Sequence, residues 1–215
     1  MSAEAPAYLH RFEPATAPGL PTLLLLHGTG GDEHDLIPLG RALLPGAAML
    51  SPRGDVAERG AARFFRRYAE GVFDTEDVAR RAAALAAFVR GAADRYGFDA
   101  GNVIAAGFSN GANIAGAIML LHPGALRGGA LFRAQMVADE TRIAAGPSAL
   151  AGTAVFLAAG RTDPVVPVAE TERLAALMRD RGAEVTLRWD ASGHVLTQGD
   201  VEAGARWLAA LAPRP

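Results

Sequence analysis

Six short runs of this chain, at 22–26, 47–50, 102–106, 129–132, 154–158 and 185–189, read as strands, and most of them are apolar throughout rather than alternating with polar residues. That pattern belongs to strands buried on both faces, which occur in sheets covered by helices on either side. Helical patterns fill the gaps. Asp74 caps one of them, with Asp77 three residues later in the manner of a capping box, and Gly97 stops it. Others are expected over 32–44, 112–121, 168–181 (stopped by Gly182) and 199–211. Strands alternating with helices predict an α/β protein with a mostly parallel central sheet and helices on both faces. The run at 8–12 does alternate and predicts an edge strand. With no repeat, low-complexity tract or long linker in its 215 residues, the chain reads as one domain over 1–215. That domain carries one elaborate insertion at 52–73, PRGDVAERGAARFFRRYAEGVF, too aromatic and Arg-rich for a passive loop.

Two compositional absences narrow the chemistry. There is no Cys, which removes cysteine nucleophiles, thiolate zinc sites, iron–sulfur clusters and redox dithiols. All 21 basic residues are Arg, so a complete P-loop, a Schiff base and a lysine general base are excluded as well. A formal net charge of −2 argues against nucleic acid as a partner. The first residues have no basic start or apolar h-region, so no signal peptide is expected. The uncharged stretch 100–126 is long enough to span a bilayer, yet Asn102, Ser109, Asn110, Asn113, His122 and Pro123 interrupt it. A buried strand, a turn and a buried helix account for it better. The expected protein is soluble and cytoplasmic, with no stable membrane insertion.

The sharpest motif is Gly107-Phe108-Ser109-Asn110-Gly111, a G-x-S-x-G pattern between a predicted strand and a predicted helix. A nucleophile elbow needs that context, because the sharp turn presents the serine at the carboxyl edge of the sheet. A serine hydroxyl is a weak nucleophile without an aligned base, and the base needs an acid to fix its tautomer. Of the five histidines, His194 alone lies in a loop after the last predicted strand, where the order Ser, acid, His puts the base. Asp163, in the Pro-stiffened loop Thr162-Asp163-Pro164, is the favoured acid, and Asp190 is its rival. The catalytic candidates are therefore Ser109, Asp163 and His194. An oxyanion hole would take the backbone N–H of Asn110 and that of Thr29, in the loop Gly28-Thr29-Gly30-Gly31. A Gly-rich loop also suits phosphate, but without Lys that competitor is weak. Asp32-Glu33-His34-Asp35 lacks metal-ligand spacing and reads as the acidic first turn of a helix, so no metal is expected.

Together, LLLLHGTGGDEHDL, GFSNGAN, RTDPVVP and SGH resemble the α/β-hydrolase fold, and more narrowly the small phospholipase/carboxylesterase family that includes acyl-protein thioesterases. LHGTGG, SPRGD, RFFRR and EGVFD look like a bacterial carboxylesterase subgroup of it, often labelled dienelactone-hydrolase-like. The resemblance covers nearly the whole chain. It implies a Ser109–Asp163–His194 triad, oxyanion donors at Thr29 and Asn110, no cofactor and no large cap domain. The implied reaction is hydrolysis of carboxylic esters through an acyl-enzyme. Acyl thioesterase or lysophospholipase activity, amidase or peptidase activity with the same triad, and a non-catalytic binding role on this scaffold are the alternatives. A small-molecule ester is the expected partner, and a homodimer is compatible with the reading. Two departures stand out. True dienelactone hydrolases use a Cys nucleophile, absent here, and 133–140 lacks the Ser-Gly or Pro-rich run found there in the family.

Substrate-binding candidates are Phe64, Phe65, Tyr68 and Phe73 of the insertion and Met136 of the 133–140 loop, as walls of an acyl or aryl pocket. Arg66 and Arg67 read first as solvated surface charges, with contact to an anionic substrate group as the alternative.

Overall fold

A computed structural model describes residues 8–211. Seven strands form the central sheet in the order β1-β3-β2-β8-β9-β10-β11. They are β1 (His10–Glu13), β2 (Thr22–Leu26), β3 (Met49–Pro52), β8 (Val103–Phe108), β9 (Gly128–Phe132), β10 (Ala154–Gly160) and β11 (Glu184–Asp190). All neighbours pair in parallel except β1, which lies antiparallel to β3 at the edge. The mostly parallel sheet expected from the apolar runs is therefore present, and the alternating run near residue 8 supplies its antiparallel edge.

The helices are α1 (Ile37–Leu43), α2 (Thr75–Tyr96), α3 (Asn110–Leu121), α4 (Val168–Asp180) and α5 (Gln198–Leu211). They cover both faces, as the side chains of β2 show. Leu24 and Leu26 join a core with Leu85 and Val89 of α2, Ile114 and Ile118 of α3 and Leu174 of α4. Leu23 and Leu25 point the other way, into a core with Leu39 and Leu43 of α1 and Leu208 of α5. The period of two along a strand makes this division unavoidable once both faces are covered. Helix α2 begins as expected: the Asp74 carboxylate accepts from Asp77 N at 3.0 Å, and Gly97 ends the helix at φ 74°.

Helix α1 corrects the reading of 32–44, because it starts only at Ile37. The acidic residues before it are spent in a turn, where Asp32 Oδ1 accepts from His34 N at 2.8 Å and Asp35 Oδ2 accepts from Asp32 N at 3.2 Å. Short polar side chains that bond nearby amides compete with helix in this way. The insertion is regular: two antiparallel hairpins, β4–β5 (Val56–Glu58 and Ala61–Arg63) and β6–β7 (Arg67–Ala69 and Val72–Phe73). Among the described residues no helix is long and apolar enough to cross a membrane.

Candidate active site

The site forms where β8 turns into α3. Ser109 sits between them at φ 52°, ψ −115°, a strained conformation for a residue with a Cβ. Its amide donates to Phe132 O at 2.9 Å and its carbonyl accepts from Asn113 N at 2.9 Å, so both strand and helix hold the turn. Gly111 is needed for close approach: a Cβ there would lie 2.0 Å from Leu26 O and 2.6 Å from His27 O. The second glycine of the motif thus lets the helix start press against the end of β2.

Two further strand ends deliver partners to the serine. His194, in the loop after β11, has Nε2 2.9 Å from Ser109 Oγ and Nδ1 2.8 Å from Asp163 Oδ2. A carboxylate only accepts, so the ring proton is assigned to Nδ1 and Nε2 is left to accept from the hydroxyl. Asp163 Oδ1 in turn accepts from Val165 N at 2.8 Å and Val166 N at 3.0 Å, which fixes the carboxylate in the loop after β10. Its side chain is 1% exposed. The rival acid Asp190 bonds elsewhere. Against the opposing effect of burial, Ser192 and the Arg133 guanidinium hold the Asp190 carboxyl down to about 2.

The loop after β2 faces the serine from the opposite side. Burial keeps the His27 ring below the usual imidazole pKa. The neutral ring donates from Nδ1 to Gly28 O at 2.6 Å and accepts Gly54 N–H at Nε2, 2.9 Å away. Gly30 N donates to Ala62 O at 2.9 Å, and Arg63 Nη1 donates to Thr29 Oγ1 at 2.5 Å. Both contacts come from β5, so the first hairpin buttresses the very loop that carries Thr29. Among the described residues, the Thr29 N–H has no protein acceptor. Asn110 N–H, at the first position of α3, has no intrahelical acceptor either. Two amide donors are thus left available beside Ser109.

Sequence reasoning missed Arg133, the hub behind His194. Although 0% exposed, its guanidinium donates to Gly193 O at 3.1 Å, Ala158 O at 3.0 Å, Ser192 Oγ at 2.7 Å and Asp200 Oδ2 at 2.7 Å. Asp200 also closes the start of α5, accepting from Thr197 N at 3.0 Å and Thr197 Oγ1 at 2.8 Å. The last strand, the histidine loop and the final helix therefore meet on one buried cation. No spacing rule marks such a residue, although Thr197-x-x-Asp200 is a legible capping pattern.

A cavity of about 240 Å3 opens over Ser109, lined by Thr29, Phe73, Phe108, Asn110, Asn113, Gln135, Val165 and His194, with Arg63, Arg67 and Glu70 at the hairpins. Of the five expected substrate contacts, the structure places only Phe73 on it. Phe64 and Phe65 are 1% and 0% exposed and belong to the core on the α2 side, a correction with a simple cause. Full burial gains more for an apolar ring than lining a wet opening does. Phe64 still serves the site through its backbone, donating to Asn110 Oδ1 at 2.8 Å, and Phe65 supports Phe73 edge-on at 5.7 Å. Tyr68 is 70% exposed and does not line the cavity. Met136 lines an adjoining hollow that shares Glu70, Phe73, Gln135 and Val165 with the cavity. Arg66 is exposed and pairs with Asp74, whereas Arg67 lines the cavity. Among the described residues no group of three or more His, Asp or Glu is arranged to hold a metal ion.

A mostly parallel sheet clasped by helices, with a serine on a strand–helix elbow and a histidine after the last strand, defines the α/β-hydrolase fold. The chain belongs to the phospholipase/carboxylesterase family, whose model matches residues 65–210. It is 41% identical to the Bacillus subtilis (strain 168) protein named "Putative hydrolase MhqD" over 198 residues, 92% of this chain and 96% of that one. The crystal structure of the Bacillus cereus carboxylesterase is 43% identical, covers 94% of this chain and 93% of its own, and superposes with a TM-score of 0.89. A structure of YahD with malic acid is 29% identical over 95% of this chain and 99% of its own, with a TM-score of 0.86.

Proposed function

We propose that this member of a hydrolase family is a serine carboxylesterase acting on small esters. The reading rests on one observation above all: an unbroken hydrogen-bonded chain from Ser109 Oγ through His194 to Asp163, with spacings of 2.9 and 2.8 Å. His194 Nε2 takes the hydroxyl proton as Oγ attacks the ester carbonyl, and Asp163 stabilises the imidazolium that results. Thr29 N–H and Asn110 N–H receive the oxyanion, a role in which loss of one donor costs about 3–4 kcal/mol of barrier. The imidazolium protonates the leaving alkoxide, leaving an acyl group on Ser109. Water then attacks that acyl group with His194 as base, and the free acid departs.

The cavity favours short acyl groups. Its volume of about 240 Å3 and its amide and guanidinium lining suit a small polar ester better than a fatty acyl chain. The relative YahD, solved with the small hydroxy diacid malic acid, supports the same size class. The test is hydrolysis of 4-nitrophenyl esters of graded acyl length beside the matched 4-nitroanilides. The expected result is turnover of acetate to butyrate esters, a fall in kcat/KM of at least about tenfold by decanoate, and negligible anilide cleavage. Anilide cleavage at a comparable rate would make the protein an amidase instead.

A further inference from the structure

The hairpins over Ser109 bring two cations together at one end of the cavity. Arg67 Nε donates to Glu58 Oε2 at 3.0 Å, and Arg63 Nε, which donates to Phe65 O at 3.2 Å, lies 3.1 Å from the same Glu58 oxygen, so the two guanidiniums converge on one carboxylate. Their side chains are 3% and 19% exposed, and both residues line the cavity. Glu58 does not line it. Glu70, which bonds Arg67 Nη1, lies at the rim with a side chain 55% exposed, where water screens its charge. Among the described residues, neither Arg63 Nη2 nor Arg67 Nη2 has an acceptor. Asn113 Nδ2 and the Gln135 side-chain amide, also on the cavity wall, have none either. These donors face the cavity, so a ligand entering it can accept from them.

Topology places this cluster on the side of Ser109 away from His194. His194 comes from β11 and returns its proton to the leaving group, so the alcohol portion lies toward that edge. The Thr29 loop follows β2, on the other side of β8, and Arg63 is bonded directly to the Thr29 hydroxyl. The side of Ser109 away from the leaving group is therefore the side that holds the arginines.

We infer that Arg63 and Arg67 form a carboxylate subsite, and that the preferred substrates are monoesters of short dicarboxylic acids whose free carboxylate lies two or three carbons from the scissile carbonyl. This rests on the esterase reading. The unused Nη2 edges supply charge-assisted donors that a planar carboxylate accepts in pairs. Glu58 orients both guanidiniums without entering the cavity.

Monomethyl succinate and methyl 4-methylpentanoate test it, since they match in shape and differ by a carboxylate in place of an isopropyl group. The wild-type protein is expected to favour the charged ester at least tenfold in kcat/KM. Arg67→Met should bring the ratio toward one, and Glu70→Gln, which removes a competing carboxylate at the rim, should raise it several-fold. A hairpin that is merely structural would lower both esters together and leave the ratio unmoved. Binding of succinate to Ser109→Ala protein, read by calorimetry, gives a measure independent of turnover. Hydrolysis of both esters at equal rates, without succinate binding, would overturn the subsite and leave the esterase reading intact. Succinate binding without turnover of either ester would keep the subsite and end the esterase reading. Absence of both would end the two together.

Discussion

Replacing Ser109 with Ala is expected to lower kcat for short esters by about 10^5-fold, because the members of such a triad act as a unit and residual rate comes only from the amide donors and binding. Folding should survive. Ser109 already occupies φ 52° with a Cβ in place, and Ala asks nothing more of the backbone there. Its hydroxyl contact in the structure is with His194, at the part-buried edge of the site. The melting temperature should therefore shift by no more than about 2 °C. Purified Ser109→Ala protein that keeps wild-type turnover would remove the nucleophile from the account.

The second large effect is expected at Arg133, which bonds the histidine loop but none of the Ser109, His194 and Asp163 side chains. Arg133→Met leaves the carboxylates of Asp200 and Asp190 without their cation, and breaking a buried pair from one side costs about 3–5 kcal/mol. For a chain of this size the melting temperature should fall by roughly 10 °C. Activity should fall too, since Arg133 holds Gly193 O and Ser192 Oγ, on the two residues immediately before His194. A displacement of His194 by about 1 Å is worth roughly a hundredfold in kcat, with a smaller effect on KM. The double variant Arg133→Met, Asp200→Leu removes both the cation and its closest anion, and should recover part of the melting temperature without recovering kcat. Thermal melts and steady-state kinetics on the three proteins decide the matter. An unchanged melting temperature in the single variant would show that the buried cation is dispensable.

The contrast between these two residues explains what could be read from the sequence. Ser109, Asp163 and His194 each follow a strand that its hydrophobic pattern announces, an apolar run for the first two and an alternating one for β11, so their order along the chain already carries their meeting point at the sheet's carboxyl edge. The elbow is equally legible, because Gly107 and Gly111 answer local backbone crowding that a motif records. Arg133 follows a strand as well, but nothing local distinguishes a buried Arg from an exposed one. Its partners Gly193 and Asp200 lie 60 and 67 residues away, and only the fold brings them close. Phe64 and Phe65 illustrate the opposite error. Aromatic residues in an Arg-rich insertion suggest a pocket wall, yet the hairpins turn these rings into the core and leave Arg63 and Arg67 on the cavity. Side-chain direction in a three-residue strand depends on register, and the register of β4–β5 was not legible in its Ala- and Arg-rich sequence.

The proposed chemistry depends on activation of the Ser109 hydroxyl by His194. Mass spectrometry of the folded protein after exposure to a fluorophosphonate tests it most directly, because the reagent phosphonylates only an activated serine. A single adduct is expected, located on the peptide that contains Ser109 and absent from Ser109→Ala protein. No adduct on the folded wild-type chain, or one that persists in the Ala variant, would contradict it.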